Sequence, residues 1–189
     1  MTGAEEISAR VFVLLGDVRC STSYGVVTVD VPRARWVEAV TAVRDELGLT
    51  FFDVLTAVDE LVHGFDVVLH LWSPAGRFSL QLRTRCPRDD ARVPSLTGVF
   101  AGAAWHERQA WEMFDIGFDG HPGLTPLLLP DGFEGHPLRK EFVLASRVAK
   151  AWPGAKEPGE SDQDLVGAPV RRKSLPPGVP PPGTWPASP

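Results

Sequence analysis

Three histidines and several carboxylates crowd residues 106–136 of this 189-residue chain, and they are the first candidates for chemistry. His106-Glu107 opens like the helix of a zinc protease, in which a second histidine four residues on completes the metal-binding face. The residue at that position is Ala110, so this ligand set fails. A looser constellation remains: His106, His121 and His136, with Asp115, Asp119 and Asp131, could converge on a metal ion. Against it, His121 and His136 each stand in Gly-His-Pro. There the glycine and proline already shape a turn, and the ring can satisfy a backbone carbonyl. The turn reading is preferred, and it leaves the chain with no metal ligand, no cofactor-binding residue and no catalytic residue.

Other reactive classes are excluded by spacing. No two glycines are separated by a single residue, so a Gly-x-Gly-x-x-Gly dinucleotide loop is impossible here. None of Lys140, Lys150, Lys156 and Lys173 follows the glycine pattern of a phosphate loop, and no serine sits in a Gly-x-Ser-x-Gly elbow. Cys20 and Cys86 are the only cysteines. They are too few for a four-thiolate zinc or iron–sulfur site, and two reduced, partly buried thiols are expected. A formal net charge of -5 argues against a phosphate-backbone binder, so no nucleic-acid partner is expected.

The helix around Trp105 carries Arg108 and Glu112 four residues apart, a spacing that suits a surface or interface ion pair, with Ala104, Trp111 and Phe114 near one stripe. The elements that must position it follow from periodicity. Ile7, Val11, Leu14 and Leu15 fit a helix over Glu5–Leu15, although Val11–Leu15 could equally start a strand. Val26–Val31 alternates as a strand. A helix over Pro32–Leu47 then puts Trp36, Val37, Val40, Val43 and Leu47 on one side, with Gly48 as its stop.

Phe51–Val58, Phe65–Trp72 and Phe78–Arg85 read as three strands joined by short turns at His63-Gly64 and Ser73–Gly76. In the third, Phe78, Leu80 and Leu82 alternate with Ser79, Gln81 and Arg83, so one face is buried and the other wet or covered by a partner. After a polar loop at Cys86–Val93, helical sequence opens at Pro94-Ser95, breaks at Gly98 and Gly102, and resumes to about Phe114. The order predicts an α+β fold: a mostly antiparallel sheet with helices packed on one face, followed by an extended C-terminal arm and a Pro-rich tail.

Three segments are expected: a globular domain over 1–116, a docking arm over 117–149 and a Pro/Gly-rich, disordered tail over 150–189. In the arm, Phe118, Leu124, Leu127–Leu129, Phe133, Leu138 and Phe142 recur among glycines and prolines. That apolar area docks on a neighbouring chain or on the flank of its own domain. Met1–Glu6 is acidic and precedes no cleavage site, which predicts that the chain is not exported. Runs such as Val11–Leu15 fall far short of the roughly 20 residues that cross a bilayer. Membrane association is therefore expected only through a partner.

The segment from Trp105 through Asp115-Ile116-Gly117-Phe118-Asp119-Gly120-His121-Pro122 to Leu124, followed by Leu129-Pro130-Asp131-Gly132-Phe133-Glu134-Gly135-His136-Pro137-Leu138-Arg139-Lys140-Glu141-Phe142, resembles the signature of the complex I thirty-kilodalton subunit, known in bacteria as the C subunit of NADH–quinone oxidoreductase. Weaker resemblance reaches back through Val93-Pro94-Ser95, Phe65–Ser73, Val58-Asp59 and Phe52 to about Gly25. The family usually has Glu where Gln109 stands, Gly where Asp115 stands and basic residues at Thr125 and Pro126.

The resemblance implies an accessory subunit of the peripheral arm, without a redox centre, supporting electron transfer from NADH to quinone. NADH, FMN, iron–sulfur clusters and quinone are then held by sister subunits. The partners it implies are the quinone-site subunit and the terminal iron–sulfur-cluster subunit, at the cytoplasmic face of the bacterial cell membrane. The subunit-interface residues carried over by resemblance are Glu107, Arg108, Glu112, His121, Pro122, Glu134, Gly135, His136, Pro137, Leu138, Arg139 and Lys140. The same module occurs in membrane-bound hydrogenases and related non-NADH dehydrogenases, which is the alternative; a free-standing metal-dependent enzyme ranks below both.

Overall fold

A computed structural model describes residues 3–143. The backbone divides into two units, Met1–Lys140 and Glu141–Pro189, and the first contains the elements below. The end of the expected arm and the expected disordered tail lie outside the described residues.

Helix α1 (Ala4–Leu15) buries Ile7, Val11 and Leu15, one per turn, so the helical reading of Val11–Leu15 holds over the strand alternative. Strand β1 (Arg19–Ser23) follows and pairs antiparallel with β2 (Val26–Asp30). Tyr24 and Gly25 between them both have positive φ, as a two-residue hairpin turn of mirror-image type requires. Periodicity does not predict β1, because Arg-Cys-Ser-Thr-Ser is an edge strand without alternation.

A single 3-10 turn at Arg33–Arg35 leads into α2 (Trp36–Glu46), which starts later than expected and buries Trp36, Ala39, Val40 and Val43. Val37, expected on the core side, instead faces outward, because one residue step turns the helix by about 100°. Strands β3 (Phe51–Asp59), β4 (Phe65–Ser73) and β5 (Phe78–Cys86) form the expected antiparallel meander. At the β3–β4 turn a Cβ on Gly64 would lie 2.2 Å from the Cys86 carbonyl oxygen, and its φ is +93°. No other residue fits there.

The sheet order is β1-β2-β5-β4-β3. The β2–β5 join is parallel, with Val27 opposite Leu80 and Val29 opposite Leu82, so the sheet is mixed. Val27, Val29, Leu55, Leu69, Leu80 and Leu82 bury one face under the helices. The opposite face carries Asp30, Asp66, His70, Trp72, Arg83 and Arg85, the alternation fixing which side chains it presents.

The expected polar loop contains a short strand, β6 (Arg92–Pro94), which pairs in parallel with β7 (Gly117–Asp119) at the start of the expected arm. Residues 96–102 form turns, and the helix proper, α3 (Ala103–Phe114), begins only after Gly102. Two glycines and the early Pro94 suppress helix propagation there. Residues 117–140 belong to the same compact unit as the sheet and helices.

Candidate functional site

The residues singled out by spacing converge on α3, where most of them bind backbone groups, either of α3 itself or of the chain on either side of it. Glu107 lies one turn into α3 and is wholly buried. Its carboxylate accepts from Ser95 Oγ at 2.6 Å and from the Leu96 N–H at 2.6 Å. Burial pushes its pKa up, partly offset by those two donors and by His121.

Glu112 does not pair directly with Arg108. Its carboxylate accepts the backbone N–H groups of Leu127, Leu128 and Leu129 at 3.1, 2.8 and 2.9 Å. Burial works to raise its pKa, but the three amides and the nearby Arg108 charge outweigh it, and the carboxyl lies below its usual range. Arg108 reaches the same segment from its other side, donating to the carbonyls of Thr125 and Pro126. The expected i,i+4 pair is thus replaced by a two-handed grip on residues 125–129. The cause is simple: an unsatisfied run of amides nearby competes for the carboxylate.

The histidines also turn to the backbone. His121 Nε2 lies 3.1 Å from the Ala104 carbonyl, and its Nδ1 accepts the Gly123 N–H at 2.9 Å. His136 Nδ1 lies 2.9 Å from the Glu112 carbonyl. His106 Nδ1 lies 3.1 Å from the Leu55 carbonyl on edge strand β3, with its ring edge-on to Phe52. Among the described residues no group of three or more His, Cys, Asp or Glu side chains is placed to hold a metal ion. Both cysteines are free thiols; burial pushes Cys86 up to about 11 and Cys20 in the same direction, which disfavours a reactive thiolate.

An arm that docks outward would leave Arg139 and Lys140 clear of the core. Arg139 instead donates to the Phe114 carbonyl at 2.7 Å and to Asp115 Oδ2 at 3.1 Å, with its guanidinium 5.4 Å from the Phe65 ring centre. Arg88 stands over the same ring at 4.7 Å. Lys140 keeps an exposed side chain while its backbone N–H donates to Asp59 Oδ2 at 2.9 Å. Asp59 also accepts from the Leu61 N–H and from Arg88. Its pKa is lowered because these hydrogen bonds and charges overcome the opposing effect of burial.

Pro122, Glu134, Gly135 and Leu138 are exposed, and Pro137 is half-buried, while the Leu138 N–H donates to the Met113 carbonyl. Of the candidates, then, Arg108 and Glu112 reach from α3 to the segment that follows, His121, His136 and Arg139 reach from that segment back to the α3 backbone, and Glu107 holds the turn that precedes α3. Pro122, Glu134, Gly135, Leu138 and the Lys140 side chain point outward. Sequence spacing does not single out Asp59, Ser95 and Arg88 for these roles. Asp59 and Ser95 lie in stretches with weak family resemblance, but no local spacing marks an acid whose donors come from 81 residues downstream.

These features define an α+β module whose buried acids serve to fix a long irregular segment against one helix. The family described as the respiratory-chain NADH dehydrogenase 30 kDa subunit matches residues 29–148. The C subunit of NADH-quinone oxidoreductase from Mesorhizobium japonicum is 38% identical over 140 residues, covering 71% of this chain and 69% of that protein. The Brucella abortus protein of the same name is 39% identical over 150 residues, covering 76% and 73%. The chain belongs to the respiratory-chain NADH dehydrogenase 30 kDa subunit family.

Among solved structures, a trypsin-resistant fragment of Nqo5 is similar at 26% identity with a TM-score of 0.55, covering 64% of this chain and 98% of the fragment. A chain of an archaeal membrane-bound sulfane sulfur reductase shares the fold at 21% identity and a TM-score of 0.66, covering 80% and 96%.

Proposed function

We propose that this chain is the C subunit of a proton-translocating NADH–quinone oxidoreductase, an accessory member of its peripheral arm without a redox centre of its own. NADH, FMN, the iron–sulfur clusters and quinone are bound by sister subunits, and this chain supports electron transfer by holding them in place. Its immediate neighbours are the subunit with the quinone pocket and the one with the terminal cluster, at the cytoplasmic face of the bacterial cell membrane. No helix among the described residues is long and apolar enough to cross a membrane, which accords with attachment through those partners.

The observation that carries this reading is how the chain disposes of its reactive side chains. Glu107, Glu112, His121 and His136 are engaged with neighbouring backbone, and the segment after α3 presents Leu128 and Leu138 outward at 62% and 48% exposure. An ordered segment with outward apolar anchors suits subunit contact, since its ordering cost is met before association. Residues 117–149 are the docking arm in this reading, with Pro122, Glu134, Gly135, Pro137, Leu138 and Lys140 at its outward surface.

The test is purification of the full chain from its own membranes through an affinity tag. Co-purification with sister subunits carrying NADH:quinone activity is expected, with no stoichiometric metal or flavin in the chain once it is separated. A monomer that is catalytically active alone, or a chain with its own metal, overturns the proposal. Leu128→Asp with Leu138→Asp should reduce co-purification while the isolated chain keeps its melting temperature.

A further inference from the structure

The face of the sheet opposite the helices carries a concave patch in which one arginine has no side-chain partner among the described residues. Arg19 on β1 stands directly across from Asp30 on β2, which stands directly across from Arg83 on β5. Asp30 is not shared evenly: Arg83 Nε donates to it at 2.7 Å. Next in the patch, Arg85 takes Asp66 with two N–H groups, at 2.5 and 2.7 Å, and Arg83 approaches the same carboxylate at 3.7 Å. Arg33 at the rim is engaged by Asp90 and by the carbonyls of Asp90 and Arg92. Arg19, exposed, is left without a side-chain partner among the described residues.

Arg19, Arg83 and Arg85 line a hollow of about 430 Å³ with Asp30 and Asp66, and Glu60 lies close enough to Arg85 to act on its charge. Of the four arginines lining the hollow, Arg19 alone has no ion pair or side-chain hydrogen bond among the described residues. At the far end of the same face Phe51 and Trp72 form an exposed cross-strand pair. It lies six residues along β4 from Asp66, or about 20 Å.

We infer that this face is a second docking surface, where a neighbouring subunit brings one Asp or Glu side chain to Arg19 at the edge of the hollow and lays an apolar side chain on Phe51 and Trp72. Guanidinium groups already held by Asp30 and Asp66 are oriented in advance, so a carboxylate entering the hollow meets fixed N–H donors. Arg19 supplies the unpaired guanidinium, and the aromatic pair supplies apolar area. The inference rests on the subunit reading above.

The test uses the full chain in the assembled complex. Arg19→Glu removes no hydrogen bond or ion pair among the described residues, so the isolated variant should melt within about 2 °C of wild type. Its recovery with sister subunits should fall at least about tenfold, while Arg77→Glu, an exposed charge reversal in the β4–β5 turn, should leave recovery unchanged. Treating the Arg19→Lys complex with a carbodiimide, which condenses an amine with a carboxylate and releases water as the urea of the reagent, should join position 19 to a single acidic residue of a sister subunit.

Wild-type recovery of Arg19→Glu overturns the inference, as does an Arg19→Lys complex that assembles but gives no cross-link. So does a rise in melting temperature with inorganic phosphate that Arg19→Glu abolishes without affecting assembly, which assigns the hollow to a small anion. If the wild-type chain itself recovers no sister subunit, the subunit reading has failed instead.

Discussion

Asp59 Oδ2 accepts the backbone N–H of Lys140 at 2.9 Å, joining the end of β3 to a residue 81 positions later. The same carboxylate, 1% exposed, also holds Arg88 and the Leu61 N–H. Asp59→Ala removes an acceptor from three donors at once, and should destabilise the chain by about 2–4 kcal/mol in urea unfolding. Trypsin should then cut after Lys140 faster than in wild type. Unchanged stability with unchanged cleavage would show that the contact at Asp59 holds nothing.

Glu112 predicts an acid dependence. Its folded-state pKa is lowered, so the stabilisation is complete above the unfolded value of about 4.3 and is lost as pH falls through the folded value. Asp59 acts in the same sense below about 3.9. Glu112→Gln should cost about 1.5–3 kcal/mol at neutral pH, with the gap from wild type closing on acidification. A constant gap down to the acid transition would contradict the geometry.

Glu107 works in the opposite direction. Burial raises its folded-state pKa, so the protonated form favours the fold and stability declines as pH rises from about 4.3 through the folded value. The stability of Glu107→Gln relative to wild type should therefore improve from acid toward neutral pH. Parallel urea titrations at the two pH values read this directly.

Asp115 ends α3 in the left-handed region at φ 63° and ψ 39°, a position that favours glycine, which is the residue the family usually has there. Its side chain meets Arg139 at 3.1 Å and approaches His136 at 3.7 Å. The ion pair offsets the backbone cost. Asp115→Gly should stay within about 1 kcal/mol of wild type, because the conformational gain replaces the lost pair, whereas Asp115→Ala keeps the cost without the pair and should lose about 1–2 kcal/mol.

The Thr84 hydroxyl is buried and has no hydrogen-bond partner among the described residues. Thr84→Val keeps the β-branched shape and removes that unmet group, so it should stabilise the fold by about 1 kcal/mol. Loss of stability in chemical unfolding would mean that the hydroxyl has a bound partner in solution.

Periodicity reveals α1, α2 and the β3–β5 meander because each buries a regular stripe: Ile7-Val11-Leu15, Trp36-Val40-Val43, and the alternation from Phe78 to Leu82. It does not reveal β1, β6 or β7, which are short and held by backbone pairing with little side-chain pattern. For the site, the histidine turns in Gly-His-Pro are legible because glycine and proline constrain the backbone nearby. The partners of Glu112 are not. They are amides of Leu127–Leu129, and a backbone amide has the same identity at every residue, so only the fold says which ones an acid will meet.

The parallel join of β2 to β5 also sets a timetable for synthesis. Val27 and Val29 pair with β1 at once but gain their second sheet neighbours, Leu80 and Leu82, only about 53 residues later. At ribosomal speed that interval is roughly 3–10 s, during which the β1–β2 hairpin has no meander to join. The N-terminal strands of a nascent chain are thus the part most in need of shelter by a chaperone or the ribosome surface, even though they are made first.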